Sequence, residues 1–192
     1  MTRLVGQLER LRRVTPLAFA LLLVARGGSA AEGASEYEVK AAFLFNFTKF
    51  VEWPGTAFAG DSDPITICIL GENPFGNLLE DVVRDKRVNG RQMAVQHAPS
   101  VSAAAGCQIV FIASSEQGRL GEILDRLASH PVLTVSDGEM VAARGAIIGL
   151  TLDEKRVRFE VNLAAAHRAG LRLGSQLLKV AVRLIGQGPQ GR

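Results

Sequence analysis

The sequence predicts an α/β fold: a single three-layer domain with helices on both faces of a mostly parallel sheet and an antiparallel hairpin near the C-terminal end. Short β-branched runs alternate with segments that begin with helix-capping residues, which is typical of parallel strands joined by helical crossovers. The run Ile65 to Leu70 is apolar apart from Thr66, as expected of a strand buried on both faces. Two further runs, 146–152 and 156–161, flank the turn residues 153–155 and indicate the hairpin.

The first 31 residues have the pattern of a secretory signal peptide. Four arginines precede an apolar run from Pro16 to Ala25, and small residues from Gly28 to Ala31 follow it. We expect cleavage after Ala30 or Ala31, leaving residues 32–192 as the mature domain in the periplasm. The apolar run is far shorter than the roughly 20 residues of a membrane-spanning helix, so an uncleaved anchor is the less favoured alternative.

Removal of this segment changes the charge balance of the chain. Residues 1–31 hold five of the 22 Lys and Arg and one of the 19 Asp and Glu, which leaves 17 basic and 18 acidic side chains. A net charge of about −1 removes the main reason to expect nucleic-acid binding. The remaining 161 of 192 residues suit one domain with an apolar core.

A first helix is predicted to begin at the capping box Ser35 to Glu38 and to end near Glu52, because Pro54 disfavours a helical conformation at the preceding residue. Five of the nine Phe, with the only Tyr and the only Trp, lie between residues 37 and 58.

Two interpretations of this aromatic helix stay open. The helix is either buried on two sides within its own core, or part of it contributes to a partner or dimer surface. The charged side of the strand 156–161 is either solvated surface or an ionic contact with a partner. The candidate partner surface therefore comprises Phe43, Phe47, Phe50, Trp53, Arg158 and Glu160.

The other elements are predicted from caps and β-rich runs. Asn73-Pro74, Ser114 to Gln117 and Asn162 are helix starts, and Asp137-Gly138 opens a turn or short helix. The predicted order is a strand 65–70, a helix 74–84, a strand 88–97, a strand 108–113, a helix 114–128, a strand 132–135, the hairpin strands 146–152 and 156–161, a helix 162–170 and a last helix 176–185.

The mature region contains two cysteines, Cys68 and Cys107. Since an exported protein meets an oxidising compartment, a disulfide between them is the favoured interpretation, with two separate buried thiols as the alternative. No metal site is expected, because His97, His130 and His167 are scattered and show no ligand spacing.

No assembled catalytic motif is present, and we expect a protein that is not an enzyme and uses no cofactor. The loop from Gly71 to Gly76 lies between a strand and a helix, where backbone amides can hold an anion. It has Asn77 and Leu78 where a phosphate-binding P-loop needs Lys and Ser or Thr. Turn structure is therefore favoured over a small anionic ligand. A Gly-x-Ser-x-Gly nucleophile elbow is also absent.

The chain resembles the YfiR-like periplasmic proteins over essentially all of its mature length, and three segments carry the resemblance. They are Val39 to Pro54, Ile65 to Gly71, and Arg156 to Asn162 leading to Gly174 to Lys179. The resemblance implies a regulator that holds back a membrane-bound diguanylate cyclase by binding its periplasmic domain, and that an outer-membrane protein can sequester. It also implies that Cys68 and Cys107 match the family's long-range disulfide pair. The shorter-range pair of some members is missing here, so a two-disulfide redox switch is not implied.

Two functions from different classes remain open. The first is a repressor that binds another protein, with a homodimer as a further use of the aromatic helix. The second is a small-molecule sensor whose ligand lies near the loops that follow the parallel strands, at residues 71–76, 114–118 and 136–139.

Overall fold

The computed structural model describes residues 28–186, with side chains from residue 36 onward. Residues 1–27 of the predicted signal peptide lie outside the described residues. The helices are α1 (Gly28–Phe47), α2 (Leu78–Val83), α3 (Val101–Ala104), α4 (Leu120–Leu127), α5 (Leu163–Arg168) and α6 (Ser175–Val180), with 3-10 helices at Gly55–Ala57 and Ser114–Arg119. The strands are β1 (Val51–Glu52), β2 (Ile65–Leu70), β3 (Arg87–Val88), β4 (Arg91–Ala98), β5 (Ile109–Ile112), β6 (Leu133–Asp137), β7 (Ile148–Asp153), β8 (Arg156–Asn162), β9 (Arg172–Leu173) and β10 (Arg183–Ile185).

Eight of these strands form one sheet in the order β10-β8-β7-β6-β5-β2-β4-β3. The five strands from β7 to β4 in that order are mutually parallel, and β8 pairs with β7 in an antiparallel hairpin. The two short strands β1 and β9 form a separate antiparallel pair. The predicted fold class is therefore confirmed.

The sheet is covered on both faces because successive side chains of each strand point to opposite sides. Ile67 and Ile69 of β2 join a core with α1, α2, α5 and α6, whereas Cys68 and Leu70 join a second core with α3 and α4. The wholly buried pattern of β2 and β5 matches the apolar runs in their sequences, whereas β6 is equally buried although it alternates apolar with polar residues.

The predicted bounds of the aromatic helix were wrong at both ends. Helix α1 begins at Gly28, before the capping box, and ends at Phe47 in a turn in which Thr48, Lys49 and Phe50 bond back to carbonyls three residues earlier. The chain then becomes extended because Val51 pairs with Leu173 of β9. Because the partner of Val51 lies 122 positions away, the residues around Val51 show no local pattern that would predict this strand.

Three other predicted elements change in the structure. The last predicted helix ends at Val180, and residues 183–185 form β10, which pairs with β8. Helix α2 begins at Leu78, since Gly76 takes a left-handed conformation with φ +55°. The predicted strand 88–97 is a hairpin of β3 and β4 around Asn89 and Gly90, both with positive φ.

The disulfide between Cys68 and Cys107 is confirmed. Cys68 lies on β2 and Cys107 lies two residues before β5, with their Cα atoms 6.0 Å apart. Both residues are buried against α3 and α4. Because β2 and β5 are neighbours in the sheet, the disulfide closes the excursion through α2, β3, β4 and α3.

We predict that the double variant Cys68→Ala/Cys107→Ala melts roughly 8–16 °C below the oxidised wild type. A loop with a sequence separation of 39 contributes about 4 kcal/mol on the chain-entropy description, and a domain of this size shifts by about 2–4 °C per kcal/mol. Circular dichroism melting curves measure the difference, with reduced wild type as the matched control. Two alkylatable thiols in denatured, non-reduced wild type would contradict the pairing.

Candidate functional site

The loops that the sequence indicated as a ligand site meet at one edge of the sheet. Strands β2, β4, β5, β6 and β7 are parallel, so their carboxyl ends, followed by loops 71–76, 114–118 and 136–139, lie at the same edge. Ligands of open α/β sheets bind in crevices at this edge. Two clefts occur there in the described part of the chain.

The first, here called the acidic cleft, has a volume of about 400 Å³ and is open to solvent. One wall comes from α1, where helical spacing brings residues 36, 37 and 40 to one side. The floor comes from the end of β6, where Asp137 faces α1 because it alternates with the buried Leu133 and Val135. The lining residues are Glu36, Tyr37, Lys40, Ser114, Asp137, Gly138, Glu139, Leu150, Thr151 and Leu152.

A buried ion pair joins the two walls of the acidic cleft. The Lys40 ammonium lies 2.6 Å from Asp137 Oδ2 and 2.5 Å from Glu36 Oε1, and 4.4 Å from the centre of the Tyr37 ring. The Tyr37 hydroxyl donates to the same Asp137 Oδ2 at 3.0 Å. The Lys40 and Asp137 side chains are only 5% and 9% exposed. In contrast, Asp137 Oδ1 is buried and has no hydrogen-bond partner.

The surrounding residues raise the pKa of both groups that donate to Asp137, which are Lys40 and Tyr37. Burial opposes the charged form of Lys40, but the hydrogen bonds to Asp137 and Glu36 outweigh it and raise its pKa above the ordinary 10.5. Burial and the charge of Asp137 raise the pKa of Tyr37 above 10.0. The folded state thus holds these protons more tightly than the unfolded chain. This contribution to stability is fully present below the unfolded pKa values and is lost as the pH rises through the folded ones.

Lys40 was not among the site residues predicted from the sequence. A lysine beside the apolar positions 41–45 is the one available indication, since a cation at a core-facing helix position needs a buried partner. Asp137 was assigned only to a turn, because nothing local shows that a residue 97 positions away pairs with it.

The second cleft has a volume of about 460 Å³ and lies where the crossovers from β2 and β5 leave on opposite faces of the sheet. The residues that line this cleft are held together by contacts within the protein. A Cβ on Gly71, at φ +97°, would lie 2.5 Å from Ser115 Oγ, so only glycine fits. Ser115 Oγ accepts the Glu72 amide, and Asn73 Oδ1 accepts the Phe75 amide.

These contacts bear on the anion-binding interpretation of Gly71 to Gly76. The amides of Glu72 and Phe75 are already used, and Glu72 itself brings a negative charge. These contacts support the turn structure that the sequence favoured for this loop.

The candidate partner surface does not form one patch. Phe47 is fully buried and its ring packs on Phe159 at 5.2 Å, so it belongs to the core and its assignment to a surface was wrong. Phe43 is half-buried and contacts both Phe47 and Phe159.

The other members of that surface lie outside α1. Trp53 is half-buried and donates its indole N–H to the Gln108 carbonyl, at the start of β5. Phe50 is half-buried, and its carbonyl accepts the Gly174 amide. Arg158 and Glu160 alternate with Phe159, so they lie on the opposite face of β8, near Asp153 and Arg183 respectively.

Two further properties concern residues 28–186, namely their capacity to hold a metal ion and to span a membrane. No group of three His, Cys, Asp or Glu side chains in this range is placed to hold a metal ion. None of the helices described there is long and apolar enough to span a bilayer.

We predict that Lys40→Met destabilises the fold by about 3–5 kcal/mol, because it leaves Asp137 as an unpaired buried charge. The exposed Lys49→Met is the matched control and should cost less than about 1 kcal/mol. Urea unfolding measures both, and the stability gap between wild type and Lys40→Met should narrow above about pH 10.5 as Lys40 loses its proton. Equal effects of the two substitutions at pH 7 would show that the ion pair does not hold α1.

Comparisons with known proteins agree with this fold. The fold is similar to the crystal structure of a conserved domain protein from Vibrio cholerae O1 biovar El Tor str. N16961, with a TM-score of 0.54, 10% sequence identity, and coverage of 77% of this chain and 60% of that chain. The ABC domain from Streptococcus pneumoniae in complex with L-Trp has a TM-score of 0.47 and 10% identity over 80% of this chain and 60% of that chain, too weak a likeness to argue from.

This chain thus spans about 60% of the length of each of those structures, and at such identities the likeness to the first shows the fold alone. The sequence itself matches the YfiR/HmsC-like family over residues 37–182, which is most of the chain. The protein therefore belongs to the YfiR/HmsC-like family, and membership supports, at the level of that family, the role of a periplasmic regulator.

Proposed function

We propose that the protein is a periplasmic regulator that represses a membrane-bound diguanylate cyclase, or a similar sensor, by binding that sensor's periplasmic domain. The family match over residues 37–182 carries the proposal, because it spans nearly all of the described fold. The signal-peptide pattern and the buried disulfide support it, since both suit an exported protein. An outer-membrane protein that sequesters the regulator is proposed as a second partner.

An apolar strip beside α1 is the proposed contact surface for the sensor. Val39, Val180 and Val182 are 41%, 66% and 52% exposed, and exposed apolar side chains that form a contiguous patch mark interaction sites. Val39 lies one helical turn before Phe43, whose ring packs on Phe159 at 5.5 Å. The Val182 amide donates to the Phe159 carbonyl at 2.9 Å, which brings the C-terminal valines to the same edge of the sheet.

The charged groups of β8 are proposed to form the rim of this contact. Arg183 lies 2.8 Å from Glu160, and Arg158 lies 3.7 Å from Asp153, on the other face of the same edge. Exposed charges at a rim affect association rate and partner choice more than affinity. The apolar strip is therefore proposed to supply most of the binding free energy.

A small-molecule sensor is the second candidate function, and one observation favours it. Asp137 Oδ1 is a buried carboxylate oxygen without a partner, and Asp137 lines an open cleft. The two functions are compatible, because the apolar strip and the acidic cleft are different surfaces.

We predict that deletion of the gene raises cellular cyclic-di-GMP and the biofilm traits that depend on it. The repressor is expected to act by stoichiometric binding, so its loss releases the enzyme. Complementation with the full chain should restore the low level, whereas a version that starts at Glu32 should not, because it stays in the cytoplasm. Unchanged cyclic-di-GMP together with no sensor recovered by pull-down from membranes would exclude the repressor function.

We also predict that Val182→Glu weakens binding to the sensor's periplasmic domain at least about tenfold while melting within about 2 °C of wild type. A charge at an exposed position costs little in folding but must be desolvated at an apolar contact. Ala103→Glu, exposed on α3 in the opposite layer, is the matched control and should bind normally.

Affinity by calorimetry and oligomeric state by sedimentation distinguish the outcomes of that experiment. Equal binding by the two variants would remove the strip from the sensor contact. A change confined to self-association would assign the strip to a homodimer instead.

A further inference from the structure

The floor of the acidic cleft holds a carboxylate, that of Asp137, of which only one oxygen accepts hydrogen bonds from the protein. Asp137 Oδ2 accepts from both Lys40 and Tyr37, whereas Oδ1 has less than 1 Å² exposed and no partner. An ionised oxygen left unpaired in a buried position is costly, and such groups are rare in native proteins. A hydrogen-bond donor that comes from outside the chain would satisfy it.

The charge around this oxygen indicates which kind of donor fits. Three carboxylates line the cleft, those of Glu36, Asp137 and Glu139, against the single ammonium of Lys40. Lys40 is committed to Asp137 Oδ2 and Glu36 Oε1, so its contacts do not supply Oδ1. The lining carries a formal charge of −2, and a cationic donor is therefore favoured over a neutral or anionic one.

We infer that the acidic cleft binds a small organic amine with an apolar body, whose ammonium group hydrogen-bonds to Asp137 Oδ1. A metal ion fits less well, because no three acidic or His side chains within residues 36–186 are placed to coordinate one. A guanidinium group fits less well too, since its fork favours two free carboxylate oxygens and only one is free here.

The rest of the cleft suits the body of such a ligand. Leu150 and Leu152 of β7 and the ring of Tyr37 provide apolar walls, and about 400 Å³ lies in the usual range for small-molecule sites. Glu139 and Leu152 are exposed at the mouth. Because Oδ1 is covered, the ammonium of the ligand must displace the lining atoms that cover it, and the exposed Glu139 then provides a second carboxylate.

The test titrates the purified mature protein with phenethylamine at pH 7 in a calorimeter, with 2-phenylethanol as the uncharged control of the same shape. Saturable binding is expected for the amine and at least about tenfold weaker binding for the alcohol, because the alcohol lacks the charge that the carboxylates recognise. Equal binding of both compounds, or no saturation by the amine up to 20 mM, would overturn the inference.

Variants at the mouth of the cleft locate the site without disturbing the ion pair. Glu139→Gln and Leu152→Arg change exposed residues, and each should weaken amine binding about three- to tenfold or more while the melting temperature is unchanged. Glu72→Gln, at the second cleft, is the matched control and should bind as wild type does. If neither mouth variant changes the affinity for the amine, or if Glu72→Gln lowers that affinity equally, the ligand binds elsewhere.

Asp137→Asn provides the final comparison, provided that circular dichroism shows it folded. It should abolish amine binding, and retained affinity in the folded variant would contradict the role of Oδ1. All these titrations use the protein alone. Their failure therefore leaves the proposed repression of a sensor intact, and failure of the sensor experiments leaves the amine site intact.

Discussion

The position of α1 depends on the buried ion pair between Lys40 and Asp137. Desolvation of two charges is expensive, and it is compensated only where the geometry lets each charge meet its partners. Here a 2.6 Å contact, a second carboxylate from Glu36 and the hydroxyl of Tyr37 provide that geometry. A shift of the helix by one turn would place the ammonium against apolar neighbours of the sheet. The pair therefore fixes the register of α1 along the sheet as well as holding it there.

That register determines the surfaces that the proposed functions use. With Lys40 at the carboxyl end of β6, the next turn of α1 places Phe43 against Phe159, and the following turn buries Phe47 on the same ring. Val39, one turn before Phe43, is then left exposed, and it is a member of the proposed apolar strip. At the other end, Glu36 and Tyr37 become a wall of the acidic cleft. One helix thus contributes to the core, to the apolar strip and to the cleft.

The sequence predicted those features that local chemistry determines. The runs that became β2, β5, β6 and the β7–β8 hairpin are apolar or alternating, and Asn162 caps α5 as expected by accepting the Ala165 amide. The disulfide followed from two cysteines in a chain with a predicted signal peptide. In contrast, β1, β9 and β10 exist only because distant segments pair with them. Helix α1 begins before the residues that the sequence indicated as its cap. The pairing of Lys40 with Asp137 was hidden for the same reason, since each residue alone is an unremarkable polar side chain.

Amide hydrogen exchange followed by mass spectrometry tests the central claim most directly, namely that this ion pair holds α1 in place. The measurement compares wild type with Lys40→Met at pH 7, following peptides from α1 and from the central strands β2 and β5 separately. The account predicts that the α1 peptides lose far more protection in the variant than the strand peptides do, because α1 detaches locally whereas the strand peptides lose only the part of their protection that follows from the lower global stability. Unchanged protection of α1, or equal loss of protection across the whole domain, would contradict it.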